Sequence, residues 1–204
     1  ASINPIDWKV RQGYLKDMAP LKFPVRLGGD FAGEVVETGE KVYGSAIVLN
    51  GGSGTLAEAV AANEANINKM PKNLDFVEAA ALPLVGSSAI QALEEHMKLK
   101  AEQKILIHGG AGGIGHMAIQ LAKALGAYVA TTVGAGQMDF VKQLGADEVI
   151  DYQNEDFGAK LKDFDAVFDT VGGETTSKSL AVLKRGGVLV SMAGQPDKAL
   201  TEKY

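Results

Sequence analysis

Three glycines, Gly110, Gly112 and Gly115, stand in a G-x-G-x-x-G spacing with Ala111, Gly113 and Ile114 between them. The pattern alone is weak. Here it follows an apolar run, "KILIH", and opens an amphipathic stretch, "GIGHMAIQLAKALG", so it sits between a strand and a helix, the context in which the spacing has a physical meaning. Gly110 is expected to let the chain turn tightly. Gly112 removes a Cβ where a diphosphate approaches the backbone, and Gly115 lets helix and strand pack closely. The helix N-terminus then offers free N–H groups and a partial positive charge to phosphates. No Gly-Lys-Ser/Thr follows, which disfavours a Walker-type nucleotide site.

The ligand implied is a dinucleotide. Its type is read at the tip of the next strand, "AYVATTV". An acid there would bond a ribose 2′-OH and repel a 2′-phosphate. This chain carries Thr131, Thr132, Val133 and Gly134 instead, which favours NADP over NAD. No Lys or Arg follows at once: the next positions include Gly136 and Gln137, and Lys142 lies a turn further on as a surface charge. Gly172 and Gly194 end two later strands, where a ligand in the crevice of such a sheet would lie.

Other chemistries find little support. The 204 residues include no cysteine, so disulfides, thiolate metal sites and a cysteine nucleophile are excluded from this sequence. His96, His108 and His116 are widely spaced and form no zinc pattern. No Ser-His-Asp or Cys-His arrangement is legible. A net charge of −5 argues against a nucleic-acid partner. No apolar run reaches membrane-spanning length. Apolar residues are 46% and charged residues 22%, a globular balance; the cysteine-free composition fits a cytoplasmic protein. Hydride transfer to a carbonyl leaves charge on oxygen, which a metal would stabilise. Without one, hydrogen-bond donors or a self-delocalising acceptor must do so, which favours quinones and α,β-unsaturated ketones.

The elements that must position these residues fall into two textures. Residues 1–80 hold short β-type runs broken by Gly, Asn and Pro, suited to a largely antiparallel β unit. Residues 81–103 read as connecting helices. The pair over 75–98 is expected to break near Pro83 and Gly86, with Asp75 capping the first and Ser87 or Ser88 starting the second. From 104 to 204, strands "KILIHG", "AYVATTV", "DEVIDY", "DAVFDTVG" and "VLVSMAG" alternate with helices, the fourth being "TTSKSLAVLKRGG". Continuous apolar strands alternating with helices imply a doubly wound parallel sheet, an α/β Rossmann-type domain.

Six stretches, "ASINPIDWKVRQG", "LGGDFAGEVVETG", "AAALPLVGSSAIQAL", "IHGGAGGIGHMAIQLAKALGA", "LGADEVIDY" and "DAVFDTVGG", occur in the order found in the zinc-free quinone oxidoreductases of the medium-chain dehydrogenase/reductase superfamily. The chain resembles that branch over almost its whole length. The resemblance implies a GroES-like catalytic domain beside the nucleotide domain, and an NADPH-dependent reductase of quinones or enones that works without zinc. It implies a homodimer. It also leads to the expectation that first strands and a C-terminal return are missing, and that segments are joined across a gap at Val42–Tyr43, where relatives carry a longer loop and strand. Zinc-using relatives carry a His-Glu pair where this chain has Gly29-Asp30.

By the same resemblance, residues matching Asn4, Asp7 and Tyr14 line the cleft beside the nicotinamide. Asn4 could donate its amide to the acceptor oxygen, or serve only as a turn residue before Pro5. Tyr14 could donate or relay a proton, or pack at a loop. Asp7 is expected to orient neighbours or cap. Ser88 matches a position beside the carboxamide, or is a helix cap. Tyr152 matches a residue flanking the adenosine phosphate, or covers the sheet edge. Trp8 is expected in the core, with the cleft wall as the other option; Gly28 and Gly29 allow close backbone approach. A second function stays open: an NADPH-binding, crystallin-like or regulatory protein with little catalysis.

Overall fold

A computed structural model describes residues 1–194. The tail 195–204, assigned to the nucleotide domain from sequence, lies outside the described residues. The described residues divide into two compact units, 1–87 and 88–194.

The first unit opens with helix α1, Pro5–Arg11, in a region whose composition reads as β. Its ends explain it. Pro5 stands at the first helical position, where a missing N–H is harmless, and Asn4 is extended at the N-cap. Asp7 lies in the first turn and Lys9 and Arg11 in the last, matching the helix dipole. Strands β1 (Asp30–Glu34), β2 (Lys41–Ser45) and β3 (Ile67–Lys69) form an antiparallel sheet in that order. β2 runs unbroken through Val42 and Tyr43, which pair with Gly33 and Ala32 on one side and Lys69 and Asn68 on the other. Phe31, Val42 and Ala46 form this unit's small core, with Val35, Val60, Ala62 and Ile67 packed against it.

Helix α2, Phe76–Ala80, has the expected cap. Asp75 Oδ1 accepts from the Glu78 N–H at 2.8 Å, and the Asp75 N–H donates to Glu78 Oε2 at 3.0 Å. The next boundary differs from expectation. Pro83 opens α3 (Pro83–Ile90), so Gly86, Ser87 and Ser88 lie inside the helix rather than at its start. α3 then widens into a π-helical segment, Gln91–His96.

The second unit is a five-stranded parallel sheet of order β6-β5-β4-β7-β8, the strand order of a doubly wound nucleotide fold. The strands are β4 (Lys104–His108), β5 (Tyr128–Val133), β6 (Glu148–Asp151), β7 (Phe164–Asp169) and β8 (Leu183–Ser191). Helices α4 (Gly113–Ala124), α5 (Met138–Gln143), α6 (Phe157–Lys160) and α7 (Glu174–Ser179) connect them. Successive side chains of a strand face opposite ways, and both faces are covered. Ile105, Ile107, Val129, Ala166 and Phe168 pack with α4 residues Ala118, Ile119 and Ala122. Leu106, Ala130 and Val167 pack on the other face with Phe157, Leu161 and Val182. Continuous apolar runs follow from this two-sided burial.

The last helix is shorter than its sequence suggests. α7 ends at Ser179, a short 3-10 turn takes Leu180–Val182, and β8 begins at Leu183. Its residues, "ETTSKS", are poor helix formers once Ser and Thr bond the backbone, and Ser179 Oγ does so, donating to the Thr175 carbonyl at 2.6 Å. β8 then pairs irregularly: Leu183 faces Phe164 and Val188 faces Ala166. The intervening Lys184 forms an ion pair with Asp165.

Candidate dinucleotide site

The glycine turn lies at the C-terminal end of β4, as expected, but its glycines divide the work differently. Gly109, not Gly110, takes the left-handed conformation, with φ +72°. The N–H groups of Gly109 and Gly110 both donate to the Thr132 carbonyl, at 3.1 and 3.2 Å. Gly110 is a packing glycine: an added Cβ would lie 2.0 Å from Thr131 Oγ1. Gly115 packs as predicted, since a Cβ there would lie 2.2 Å from the Gly109 carbonyl oxygen. Gly112 is exposed, sits at the N-cap of α4 and has no side-chain cap. A Cβ on it would meet only the Gly109 oxygen, at 3.2 Å. Among the described residues, the N–H groups of Gly113, Ile114 and Gly115 find no protein acceptor, and the first amide in use is His116, bonded to the Gly112 carbonyl at 3.0 Å. Open backbone, unused donors and the positive end of a twelve-residue helix fit a pyrophosphate.

The tip of β5 requires a correction. Thr131 and Thr132 are both buried, and their hydroxyls point inward rather than toward a ribose. Thr131 Oγ1 donates to the Ile107 carbonyl at 2.7 Å, and Thr132 Oγ1 lies 2.9 Å from His108 Nδ1. The pleat explains this, because two consecutive residues face opposite sheet surfaces and both surfaces are covered. What lies at the tip is Gly134, beside Gln137 and the ring of Tyr152. Tyr152 is exposed, and its N–H is held by the Val133 carbonyl at 3.1 Å. No carboxylate ends β5; Asp151, at the end of β6, is turned onto its own loop, accepting from Gln153 N at 3.2 Å and Asn154 Nδ2 at 2.6 Å.

Beneath the turn, sequence reading missed a buried polar row. Thr132, His108 and Asp169 are laterally paired on β5, β4 and β7, all at the strand ends and on one face. His108 is fully buried, and its Nε2 lies 2.8 Å from Ser179 Oγ. Burial pushes its pKa down to about 4, partly opposed by the Asp169 carboxylate. This is no nucleophilic triad. Ser179 is fully buried, and the Asp169 oxygens are taken by the N–H groups of Val171 and Gly172 at 2.9 Å and by the Thr176 hydroxyl. Asp169 thereby shapes the turn that carries Gly172, whose φ is +86°. Gly194 has φ +140°, and a Cβ on it would meet no atom of the described residues within 4 Å. The signal available in sequence was parity: Leu106 and His108, Ala130 and Thr132, and Val167 and Asp169 share one face of the sheet.

The first unit places Asn4 and Asp7 together and adds Asp30. Asn4 Nδ2 donates to Asp30 Oδ2 at 2.8 Å and to Ser2 Oγ at 3.4 Å, so both amide hydrogens are engaged inside the protein. Asp7 is buried and acts as expected, accepting from the Asn4 N–H at 2.7 Å and the Gly28 N–H at 3.1 Å. Asp30 Oδ2 also accepts from the Ser2 hydroxyl and the Leu84 N–H, both at 3.2 Å. Burial raises the Asp30 pKa above the ordinary carboxylate value; the bonds from Asn4, Leu84 and Ser2 moderate the rise. Tyr14 is exposed, its ring edge-on to Trp8 at 5.7 Å, and its hydroxyl bonds no described residue. Trp8, expected in the core, is 41% exposed. Ser88, which begins the second unit, is buried within α3, and its hydroxyl likewise bonds no described residue.

A glycine turn with free amides on a parallel sheet, preceded by a small antiparallel β unit, defines a two-unit protein whose second unit is a Rossmann-type α/β fold. Comparison with known proteins makes the class specific. Residues 1–72 match the alcohol dehydrogenase GroES-like domain, and residues 113–203 match the zinc-binding dehydrogenase family. The chloroplast envelope quinone oxidoreductase homolog of Arabidopsis thaliana is 38% identical over 217 residues, covering 98% of this chain and 66% of that protein. An NADPH-dependent alkenal/one oxidoreductase from the Arabidopsis thaliana chloroplast is 38% identical over 210 residues, covering 95% of this chain and 53% of its own length. The Escherichia coli quinone oxidoreductase, solved with NADPH, superposes with a TM-score of 0.81 at 29% identity, over 98% of this chain and 67% of that one. The chain belongs to the medium-chain dehydrogenase/reductase superfamily and has quinone oxidoreductases among its homologues. It spans just under two thirds of the first of these relatives and about half of the second.

Proposed function

We propose that the protein is an NADPH-dependent oxidoreductase that reduces quinones or α,β-unsaturated carbonyls without a metal. The observation that carries this reading is the turn after β4, where Gly112 is bare and the amides of Gly113, Ile114 and Gly115 meet no acceptor among the described residues. Preference for NADP is supported by the β5 tip, where Gly134, Gln137 and Tyr152 adjoin and the strand itself ends at Val133 without an acid. When bound, the nicotinamide would supply hydride to the acceptor. The chain's residues have the other tasks: the turn binds the diphosphate, Tyr152 flanks the adenosine end, and Ser88 offers a hydroxyl to the carboxamide. Tyr14 is the candidate proton donor, since its hydroxyl is not spent on a described residue.

Zinc independence is supported by the cysteine-free sequence and by Gly29-Asp30 in place of a His-Glu pair. Among the described residues no group of three His, Cys, Asp or Glu is gathered for a metal, and no helix is long and apolar enough to cross a membrane. The proposal includes a homodimer, and a cytoplasmic location resting on composition alone; one of the relatives is named for the chloroplast envelope, so light scattering and cell fractionation are the respective tests. A second reading, NADPH binding with little turnover, is favoured by one observation: the Asn4 amide is committed to Asp30 and Ser2. NADPH consumption by the full-length protein against a panel of quinones and enones separates the two. Turnover that survives metal chelation supports the first; binding without turnover on any acceptor supports the second.

A further inference from the structure

We propose that His108 is a positioning residue for the dinucleotide, holding the glycine turn in its binding geometry through the Thr132 side chain. This rests on the NADPH reading of the turn. Hydrogen-bond direction supplies the first part of the argument. Ser179 Oγ spends its proton on the Thr175 carbonyl, so toward His108 it can only accept. The imidazole therefore carries its proton on Nε2, leaves Nδ1 bare, and accepts the Thr132 hydroxyl there at 2.9 Å. Thr132 in turn holds the turn: its carbonyl receives the amides of Gly109 and Gly110, and its Oγ1 lies 3.4 Å from the Gly109 nitrogen. On the other side the His108 carbonyl accepts the Thr170 hydroxyl at 2.7 Å. One ring thus links the ends of β4 and β5 to α7, and its own carbonyl links them to the residue after β7.

Packing alone does not call for this residue. Deeper on the same face the three strands carry Leu106, Ala130 and Val167, and the Phe157 ring already stands edge-on to the imidazole at 4.6 Å. An apolar ring would fill the space. A buried polar group costs stability unless it is bonded, and here the polar row occurs only at the strand ends, directly under the phosphate turn.

The test is a calorimetric titration of the full-length protein with NADPH, with thermal unfolding measured on the same samples. His108→Asn puts an amide oxygen near the position of Nδ1 and keeps the acceptor for Thr132, but it leaves the larger cavity. His108→Phe and His108→Gln fill the site better, and neither presents that acceptor. The expected result is a crossed ordering. His108→Asn is the least stable of the three yet binds NADPH within threefold of wild type, whereas His108→Phe and His108→Gln bind at least tenfold more weakly. Should His108→Phe not fold, the near-isosteric Thr132→Val carries the test, with the same tenfold loss expected. Affinities that follow stabilities, or that equal wild type in every variant, overturn the inference alone. A wild-type protein blind to NADPH and NADH overturns the reading of the site and the inference with it.

Discussion

Gly112 and Gly115 stand three residues apart in one motif, and the structure gives them separable jobs. Replacing Gly115 by Ala puts a Cβ 2.2 Å from the Gly109 oxygen and 2.8 Å from the Gly110 Cα. Both are backbone atoms and neither can swing away. Relief needs a shift of roughly 1 Å between α4 and the turn; overpacking of that kind costs about 1–3 kcal/mol, against a gain of up to about 1 kcal/mol from exchanging a helical Gly for Ala. Replacing Gly112 by Ala meets only the Gly109 oxygen, at 3.2 Å, and loses a favourable N-cap residue, together under about 1 kcal/mol. Its methyl, however, projects from an exposed position where the diphosphate is to lie. The expected outcome is that Gly115→Ala lowers unfolding free energy measurably, while Gly112→Ala leaves it nearly intact yet weakens NADPH binding at least tenfold. Urea unfolding followed by circular dichroism, with calorimetric titration of the same variants, gives both numbers. A Gly112→Ala protein that binds like wild type, beside a Gly115→Ala protein as stable as wild type, refutes the division of labour.

Three further outcomes follow from buried and capping groups. His108 is neutral in the fold down to about 4, below its ordinary 6.5, so its contribution is whole above 6.5 and is lost as pH falls through 4. Wild type should lose about 3 kcal/mol more than His108→Gln over that interval, read from urea unfolding at a series of pH values. Asp30 has the opposite sense: its raised pKa means its contribution is whole below the ordinary carboxylate value and fades as pH rises through the folded-state value, so Asp30→Asn should gain on wild type with rising pH in the same assay. Asp75→Ala should cost about 1 kcal/mol by removing the α2 cap, measured by thermal unfolding, and leave NADPH affinity unchanged.

Sequence alone located the turn because two periods change at it: an apolar strand gives way to apolar positions at helical spacing, with glycines between. It misassigned the turning residue because Gly109 and Gly110 are adjacent and only backbone geometry separates them. It placed the Thr131 and Thr132 hydroxyls outside because a strand tip was taken as exposed, whereas helices cover both faces up to the last residue. The partners of His108 come from β5 and α7, and those of Asp30 from Ser2, Asn4 and Leu84. Bonds across so many intervening residues leave no local pattern. α1 was hidden in a β-rich composition although its Pro5 start and first-turn Asp7 were in view, and α7 was overrun because apolar periodicity continued into residues that leave the helix.

The most direct measurement is a calorimetric titration of the full-length wild-type protein with NADPH and, separately, NADH. Saturable one-site binding, tighter for NADPH, is the result required by a bare glycine turn and an acid-free β5 tip. Absence of binding by either dinucleotide at millimolar concentration contradicts it.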